Sequence, residues 1–149
     1  MISIQSDDFD VGEEYESLRR QHSSGAIVTF CGLVRDLDQD KNVDAIELEH
    51  YSGMTEKALQ DIVTEAQNRW SIEAVKIIHR VGKLRANEQI VFVGVASAHR
   101  KQAFAACEFI MDYLKTRAPF WKKQFSGNDA YWVEAKSTDR DAAERWRDL

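Results

Sequence analysis

Lysine and arginine side chains concentrate in residues 99–123, which read HRKQAFAACEFIMDYLKTRAPFWKK. Six basic and two acidic residues give this segment a formal charge of +4, whereas the whole chain carries −5 and the remainder therefore −9. Such a segment is suited to bind an anionic substrate, and its lysines can supply acid–base or nucleophilic chemistry. The alternative is that Lys115 and Arg117 offset the dipole at a helix C-terminus and that the other cations are solvated.

Other sequence patterns that carry chemistry are missing from the chain. Neither GxGxxG nor GxxxxGK[ST] occurs to support nucleotide binding, and no GxSxG supports a serine nucleophile. The four histidines lack the spacing of a metal site, so we predict no metal and no cofactor. Cys31 and Cys107 lie in apolar periodic segments, which favours buried free thiols over a disulfide or a reactive thiolate.

The basic segment is predicted to form one helix and one strand. Apolar residues recur at helical spacing, at Ala103, Cys107, Ile110 and Leu114, flanked by Phe104 and Met111. Residues 99–117 should therefore form a helix with one face toward the core. The helix should end before Pro119, because the residue preceding a proline avoids helical geometry. Residues 120–125 then alternate with strand period.

A further cation, Arg35, ends a predicted strand at residues 25–35. This strand is rich in β-branched and aromatic residues, and Gly32 within it marks either a bulge or a close backbone approach. Arg35 is either a solvated strand terminus or an anion clamp that is held on a rigid element.

The remaining periodicities predict an α+β fold in the order β-α-β-β-α-β-β-α-β-β-α. Predicted strands cover residues 1–5, 25–35, 43–51, 74–81, 89–98, 120–125 and 131–136. Predicted helices comprise a short one capped by Asp10, with Tyr15 and Leu18 buried, and residues 54–70, 99–117 and 139–149. Adjacent strand pairs with separate helices favour a mixed, mostly antiparallel sheet with flanking helices. We expect residues 1–149 to form a single domain.

Composition limits the compartment and the class of partner. No apolar run approaches the roughly 20 residues of a membrane helix, and the N-terminus lacks a basic-then-apolar leader. Together with the expected free thiols, this indicates a cytoplasmic protein that does not bind a membrane. The net charge of −5 disfavours the rival reading of the basic helix as a nucleic-acid-binding module.

Residues 36–47, DLDQDKNVDAIE, have acids at the spacing of a calcium-binding helix-loop-helix. Lys41, however, stands where the sharp turn of that motif needs glycine, and the preceding segment has strand character. We therefore interpret these residues as a solvated acidic hairpin loop.

Several segments of the sequence resemble those of a known family. They are HYSGMTEKAL (50–59), IHRVGKL (78–84), VFVGVASAHR (91–100), FIMDYLKTRAPFWKK (109–123), TFCGLVRD (29–36) and WVEAK (132–136). In order and over nearly the whole chain, they resemble the large, catalytic subunit of molybdopterin synthase. The resemblance implies an enzyme that installs two dithiolene sulfurs on cyclic pyranopterin monophosphate. It also implies a small ubiquitin-like partner with a C-terminal Gly-Gly thiocarboxylate, and a heterotetramer built on a central homodimer of the large subunit.

The resemblance also implies site residues. The catalytic pair would be Lys115, as acid–base or tail-contacting residue, and Lys122, as its electrostatic partner. Substrate-binding residues would be Leu33, Val34, Arg35, His99, Arg100, Lys115, Lys122, Lys123 and Gln124, with Met111, Phe30 and Lys136 as further candidates. Lys136 stands where the family often has arginine. A lysine there keeps the positive charge but lacks the bidentate fork of a guanidinium group. The alternative function is a non-catalytic scaffold that binds a ubiquitin-like partner.

Overall fold

The structure, a computed structural model, describes residues 1–20, 23–35, 45–126, 129–133 and 137–147. Its strands are β1 (Ile2–Gln5), β2 (Ala26–Leu33), β3 (Ala45–His50), β4 (Ala74–Arg80), β5 (Gly82–Arg85), β6 (Gln89–Ser97), β7 (Phe120–Ser126) and β8 (Asp129–Val133). Its helices are α1 (Val11–Arg19), α2 (Met54–Arg69), α3 (Arg100–Arg117) and α4 (Ser137–Glu144). The predicted α+β class and the mostly antiparallel pairing are confirmed, since β1 with β4 is the parallel pair among the described strands.

The first sheet has the order β1-β4-β6-β2 and holds the largest part of the core. The central strand β6 is buried on both faces, as its near-continuous apolar sequence predicts. Val91, Val93 and Val95 contact the cluster formed with α2 and α3. Phe92 and Ala96 point the other way, into a smaller cluster with Leu18 of α1.

Helix α1 begins as predicted but buries less than predicted. The Asp10 side chain accepts a hydrogen bond from the Glu13 backbone N–H at 3.1 Å, which caps the helix. Leu18 is buried, but Tyr15 is 39% exposed, so its predicted burial is wrong. The small cluster beneath α1 takes Leu18 and the half-buried Val11, and the Tyr15 ring stays outside it.

The glycine in β2 marks both a bulge and a close approach. Pairing with β6 shifts register between Gly32 and Leu33. A Cβ on Gly32 would lie 2.7 Å from Cγ1 of Val91, so a side chain does not fit there without movement. Beyond the bulge, the Val34 backbone bonds instead to Asn87 and Glu88, and its side chain is buried.

The second sheet has the order β5-β3-β7-β8. Ile46, Leu48 and Leu84 on this sheet pack together with Val34, the residue that follows β2, so this cluster joins the two sheets. Strand β5 was not among the predicted strands, because residues 82–85, GKLR, show no alternation of apolar residues. Leu84 is its single apolar residue, and the strand forms by pairing with β3, in which Leu84 lies opposite Ile46.

Helix α3 runs from Arg100 to Arg117 and ends where the proline predicts. Ala118, which precedes Pro119, has an extended backbone with φ −81° and ψ 128°. Its buried face comprises Ala103, Ala106, Cys107, Phe109, Ile110 and Leu114. No helix within the described ranges has both the length and the apolar character needed to cross a bilayer.

Candidate functional site

The C-terminal end of α3 and the start of β7 carry the two lysines that were predicted to be catalytic. Lys115 lies exposed in the last turn of α3, where the helix dipole favours a positive charge. Lys122 is half-buried in β7, after a connection of two residues, Ala118 and Pro119. Both lysines therefore belong to one helix–strand junction.

Strand register places Lys122 on the inner face of the second sheet. Residues directly opposite one another in an antiparallel pair project from the same face. Lys122 lies opposite Leu48, which is buried in the cluster that includes Val34. Phe120, two residues earlier in β7, lies opposite His50 and shares this face.

A buried histidine connects Lys115 to the same face. The His79 ring stacks on Phe120, with centroids 3.9 Å apart and planes 18° from parallel. The pKa of His79 is lowered to about 4, chiefly by burial. The hydrogen bond to the Arg80 carbonyl opposes this shift, and the charges of Lys115 and His50 contribute to it. Lys115 is thus near enough to His79 for its charge to act on the ring, and Lys122 lies two residues beyond Phe120 on the same face of β7. His79 is therefore a packed, hydrogen-bonded histidine.

The predicted group Leu33–Arg35 lies at the end of the first sheet toward which the C-terminal end of α3 points. Leu33 lies opposite Gln89, the first residue of β6, and is 48% exposed. Since α3 follows β6 through a short link and packs back against it, its C-terminal end returns toward Gln89. Val34 belongs to the same buried cluster as Leu48, the residue opposite Lys122, and Arg35 follows Val34 with an exposed side chain.

His99 and Arg100 lie at the other end of α3 and are not brought to the lysines within one chain. From Arg100 to Lys115 the helix rises about 22 Å, at about 1.5 Å per residue. His99 is the N-cap residue with an extended backbone, and both side chains are exposed. The first turn of α3 contains no acidic residue, so its free N–H groups and Arg100 form an electropositive end.

The other predicted residues are more scattered. Lys123 lies opposite Glu47 and is on the other face of β7 from Lys122. Gln124 is paired with Ile46 in the strand register. Met111 is half-buried against the main core, and Phe30 is 41% exposed on β2. Lys136 and the acidic loop residues 36–44 lie outside the described residues, so the predictions for them remain predictions.

Sequence reasoning missed Thr55, which contacts the junction between the lysines. Thr55 is fully buried at the start of α2. Its hydroxyl donates a hydrogen bond to the Pro119 carbonyl at 3.0 Å and accepts one from the Tyr51 N–H at 3.1 Å. No sequence pattern reveals this contact, because 64 positions separate Thr55 from Pro119.

Both cysteines are free, as predicted, but the predicted burial holds for Cys107 and is wrong for Cys31, which is half-buried. Cys107 is buried, and burial raises the pKa of its thiol to about 12, with Glu108 adding to the shift. Burial also raises the pKa of the half-buried Cys31. Because the thiolate is the nucleophilic form, neither environment favours attack by cysteine. Among the described residues, no group of three or more His, Cys, Asp and Glu is arranged to hold a metal ion.

A family model described as MoaE protein matches residues 4–117, which is more than half of the chain. The chain belongs to the MoaE family. Its relatives include the molybdopterin synthase catalytic subunit of Vibrio cholerae, which is 53% identical over 145 residues, 97% of this chain and 97% of that protein. The molybdopterin synthase catalytic subunit of Escherichia coli strain K12 is 56% identical over 138 residues, 93% of this chain and 92% of that protein.

A solved structure supports the same assignment of this MoaE-family chain. The molybdopterin biosynthesis MoaE protein from Burkholderia ambifaria matches with a TM-score of 0.84 and 53% identity, covering 98% of this chain and 97% of that chain. The family model ends at Arg117, before β7, whereas these relatives extend over nearly the whole length. The resemblance read from the sequence is therefore confirmed at the level of the family.

Proposed function

We infer that this chain is the catalytic subunit of a molybdopterin synthase. In this reaction sulfur passes from the C-terminal thiocarboxylate of a small ubiquitin-like subunit to cyclic pyranopterin monophosphate, which forms the dithiolene of molybdopterin. The observation that carries the proposal is the 53–56% identity, over almost the full chain, to proteins named as that catalytic subunit. A protein named as one subunit of a synthase acts with another subunit, which supports the proposed partner.

The proposed catalytic groups are Lys115 and Lys122. Sulfur transfer from a thiocarboxylate develops negative charge on oxygen, which a lysine ammonium stabilises, and a lysine can also pass a proton. In support, the charge of Lys115 acts on His79, which stacks on Phe120, and Lys122 shares a face of β7 with Phe120. Arg35 follows Val34, which belongs to the buried cluster that joins the two sheets. In this proposal Lys115 is the acid–base or tail-contacting residue and Lys122 its electrostatic partner.

An external sulfur donor fits the state of the two cysteines. A raised thiol pKa keeps Cys107 and Cys31 protonated at neutral pH. The chain therefore lacks an activated thiol among its described residues, and the sulfur arrives on the partner's tail. Gly-Gly has no side chains, so such a tail can enter a narrow channel. We place the reaction in the cytoplasm, where thiols remain reduced.

Two copies of the chain complete the proposed substrate site. A small substrate cannot touch Lys115 and the His99–Arg100 pair of the same chain, because about 22 Å of helix lies between them. In a homodimer, His99 and Arg100 of one copy can approach Lys115 and Lys122 of the other. The exposed apolar side chains of Phe30, Leu33 and Phe104, on β2 and α3, are compatible with such self-association.

Reconstitution tests the proposal directly. The purified chain is mixed with a thiocarboxylated small subunit and cyclic pyranopterin monophosphate, and the dithiolene product is measured. We expect product from the wild type and none from Lys115→Ala, whose folding and small-subunit binding stay intact. Lys57→Ala is the control, since the Lys57 side chain is 81% exposed on α2 and is not among the proposed site residues. Small-subunit binding without any product from the wild type would instead identify a non-catalytic scaffold.

A further inference from the structure

We infer that Thr55 and His79 are positioning residues that set the spacing of Lys115 and Lys122 by holding Pro119 and Phe120. This inference rests on the proposed function, because the spacing matters only if the two lysines act together. Neither Thr55 nor His79 belongs to the set of substrate-contacting residues. Their effect on catalysis would pass through the junction between α3 and β7.

The junction is short, so its geometry determines where Lys122 lies relative to Lys115. Ala118 is extended, and the Phe120 N–H bonds to the Ala118 carbonyl at 2.9 Å, which makes a tight turn around Pro119. Proline fixes its own φ but donates no hydrogen bond. The carbonyl of Pro119 is therefore the backbone group by which the rest of the protein can hold this residue.

Thr55 holds that carbonyl from the side of α2. Its hydroxyl is fully buried and uses its donor on Pro119 and an acceptor position on the Tyr51 N–H. The Thr55 N–H in turn bonds to the Tyr51 carbonyl at 2.9 Å, which fixes the threonine backbone. Because the buried hydroxyl makes both hydrogen bonds, it favours one position of Pro119. A shift of Pro119 would leave its carbonyl and the Thr55 hydroxyl without a hydrogen-bond partner.

His79 holds the next residue, Phe120, from the side of β4. The stack has a centroid distance of 3.9 Å, and the imidazole Nδ1 lies 2.8 Å from the Arg80 carbonyl. A carbonyl only accepts, so Nδ1 carries the proton and the ring orientation is fixed. Strand β4 pairs with both β1 and β6, which makes it an internal strand of the first sheet. Phe120 is thereby tied to the rigid part of the fold.

Thr55 of α2 and His79 of β4 thus hold two consecutive residues, Pro119 and Phe120. Trp121, the third residue in line, meets the Tyr51 ring edge-on with centroids 4.0 Å apart, on the opposite face of β7 from Phe120. Packing alone would not need a buried hydroxyl that is bonded to the Pro119 carbonyl. A displacement of about 1 Å at reacting groups can lower a rate by about a hundredfold, so such contacts suit a catalytic junction.

Two matched pairs of variants test the inference in the reconstituted synthase. Thr55→Val keeps the shape but removes both hydrogen bonds, whereas Thr55→Ser keeps the hydroxyl. We expect Thr55→Val to lower kcat by about ten- to a hundredfold, with the KM for precursor and the Kd for the small subunit within about twofold of wild type. Thr55→Ser should retain a kcat near that of the wild type.

The second pair separates the two contacts of His79. His79→Phe keeps a ring to stack on Phe120, whereas His79→Asn keeps an N–H for the Arg80 carbonyl and loses the stack. We expect His79→Asn to lower kcat by about tenfold or more and His79→Phe to stay within about threefold of wild type. Circular dichroism and thermal melting show which variants fold, and if Thr55→Val does not fold, the His79 pair decides.

The outcomes distinguish this inference from the proposed function. Equal kcat values for folded Thr55→Val and Thr55→Ser, or for folded His79→Asn and His79→Phe, overturn the positioning role. A loss confined to KM also overturns it, because that indicates altered substrate binding. Lys122→Ala is assayed alongside. If the wild type makes no product, the proposed function fails and the inference fails with it. If the wild type makes product and Lys122→Ala is equally active, the proposed function stands, but the catalytic pair fails and this inference fails with it.

Discussion

Stability at mildly acidic pH should depend on His79. The folded protein lowers the pKa of His79 from its ordinary 6.5 to about 4, chiefly through burial. Between these pH values the unfolded chain binds a proton that the folded chain excludes, so stability falls as pH falls. The contribution is fully present above pH 6.5 and is lost as pH drops to about 4. At about 1.4 kcal/mol per pH unit, the loss amounts to roughly 3 kcal/mol of the free energy of unfolding.

The measurement compares the wild type with His79→Phe by urea unfolding at several pH values from neutral down to pH 4. Both proteins share every other titrating group, so the difference between their free energies of unfolding isolates His79. We expect the wild type to lose roughly 3 kcal/mol relative to the variant over this range, with similar m-values. A difference that stays constant with pH would refute the argument that this imidazole is held neutral by burial.

Four further outcomes are expected. Lys115→Ala should abolish dithiolene formation in the reconstituted assay while thermal melting and small-subunit binding stay unchanged; near-normal turnover would contradict its catalytic role. Arg35→Ala should mainly weaken precursor binding, measured by calorimetry, and an unchanged affinity would count against an anion clamp. Gly32→Ala should lower the free energy of unfolding by about 1–3 kcal/mol in urea, because the new Cβ meets Val91. Mixing inactive Lys115→Ala and His99→Ala chains should restore part of the activity if a site is shared between copies, and no recovery would indicate that each site is built from one chain.

Local patterns predicted the elements that carry the site. Apolar residues at helical spacing and Pro119 together set both the length and the end of α3, since each effect acts within a few residues of sequence. Gly32 likewise predicted the bulge in β2. Beyond this bulge, the Val34 side chain packs into the cluster that joins the two sheets. These predictions succeeded because the residues that cause each feature lie within a few positions of it in the sequence.

Contacts between distant segments could not be predicted in this way. Strand β5 has one apolar residue and exists through its pairing with β3, and the division of the strands into two sheets follows from such pairings. The hydrogen bond from Thr55 to Pro119 has no local signature. The separation of Arg100 from Lys115, by contrast, was already implied by the predicted helix, since about 1.5 Å of rise per residue keeps its two ends apart.

The number of basic residues in the segment 99–123 overstates the positive charge that a substrate would meet at the junction of α3 and β7. Arg117 forms a two-point ion pair with Glu65, at 2.9 and 3.2 Å, and lies over the Tyr113 ring, so its charge is largely compensated. His79 is neutral at physiological pH because burial lowers its pKa to about 4. Among the described residues, the positive charge that faces an anionic precursor in the proposed site would therefore come from Lys115, Lys122 and Arg35. Because these three come from a helix end, a strand and a strand terminus, their arrangement depends on the contacts that join α3 to the two sheets.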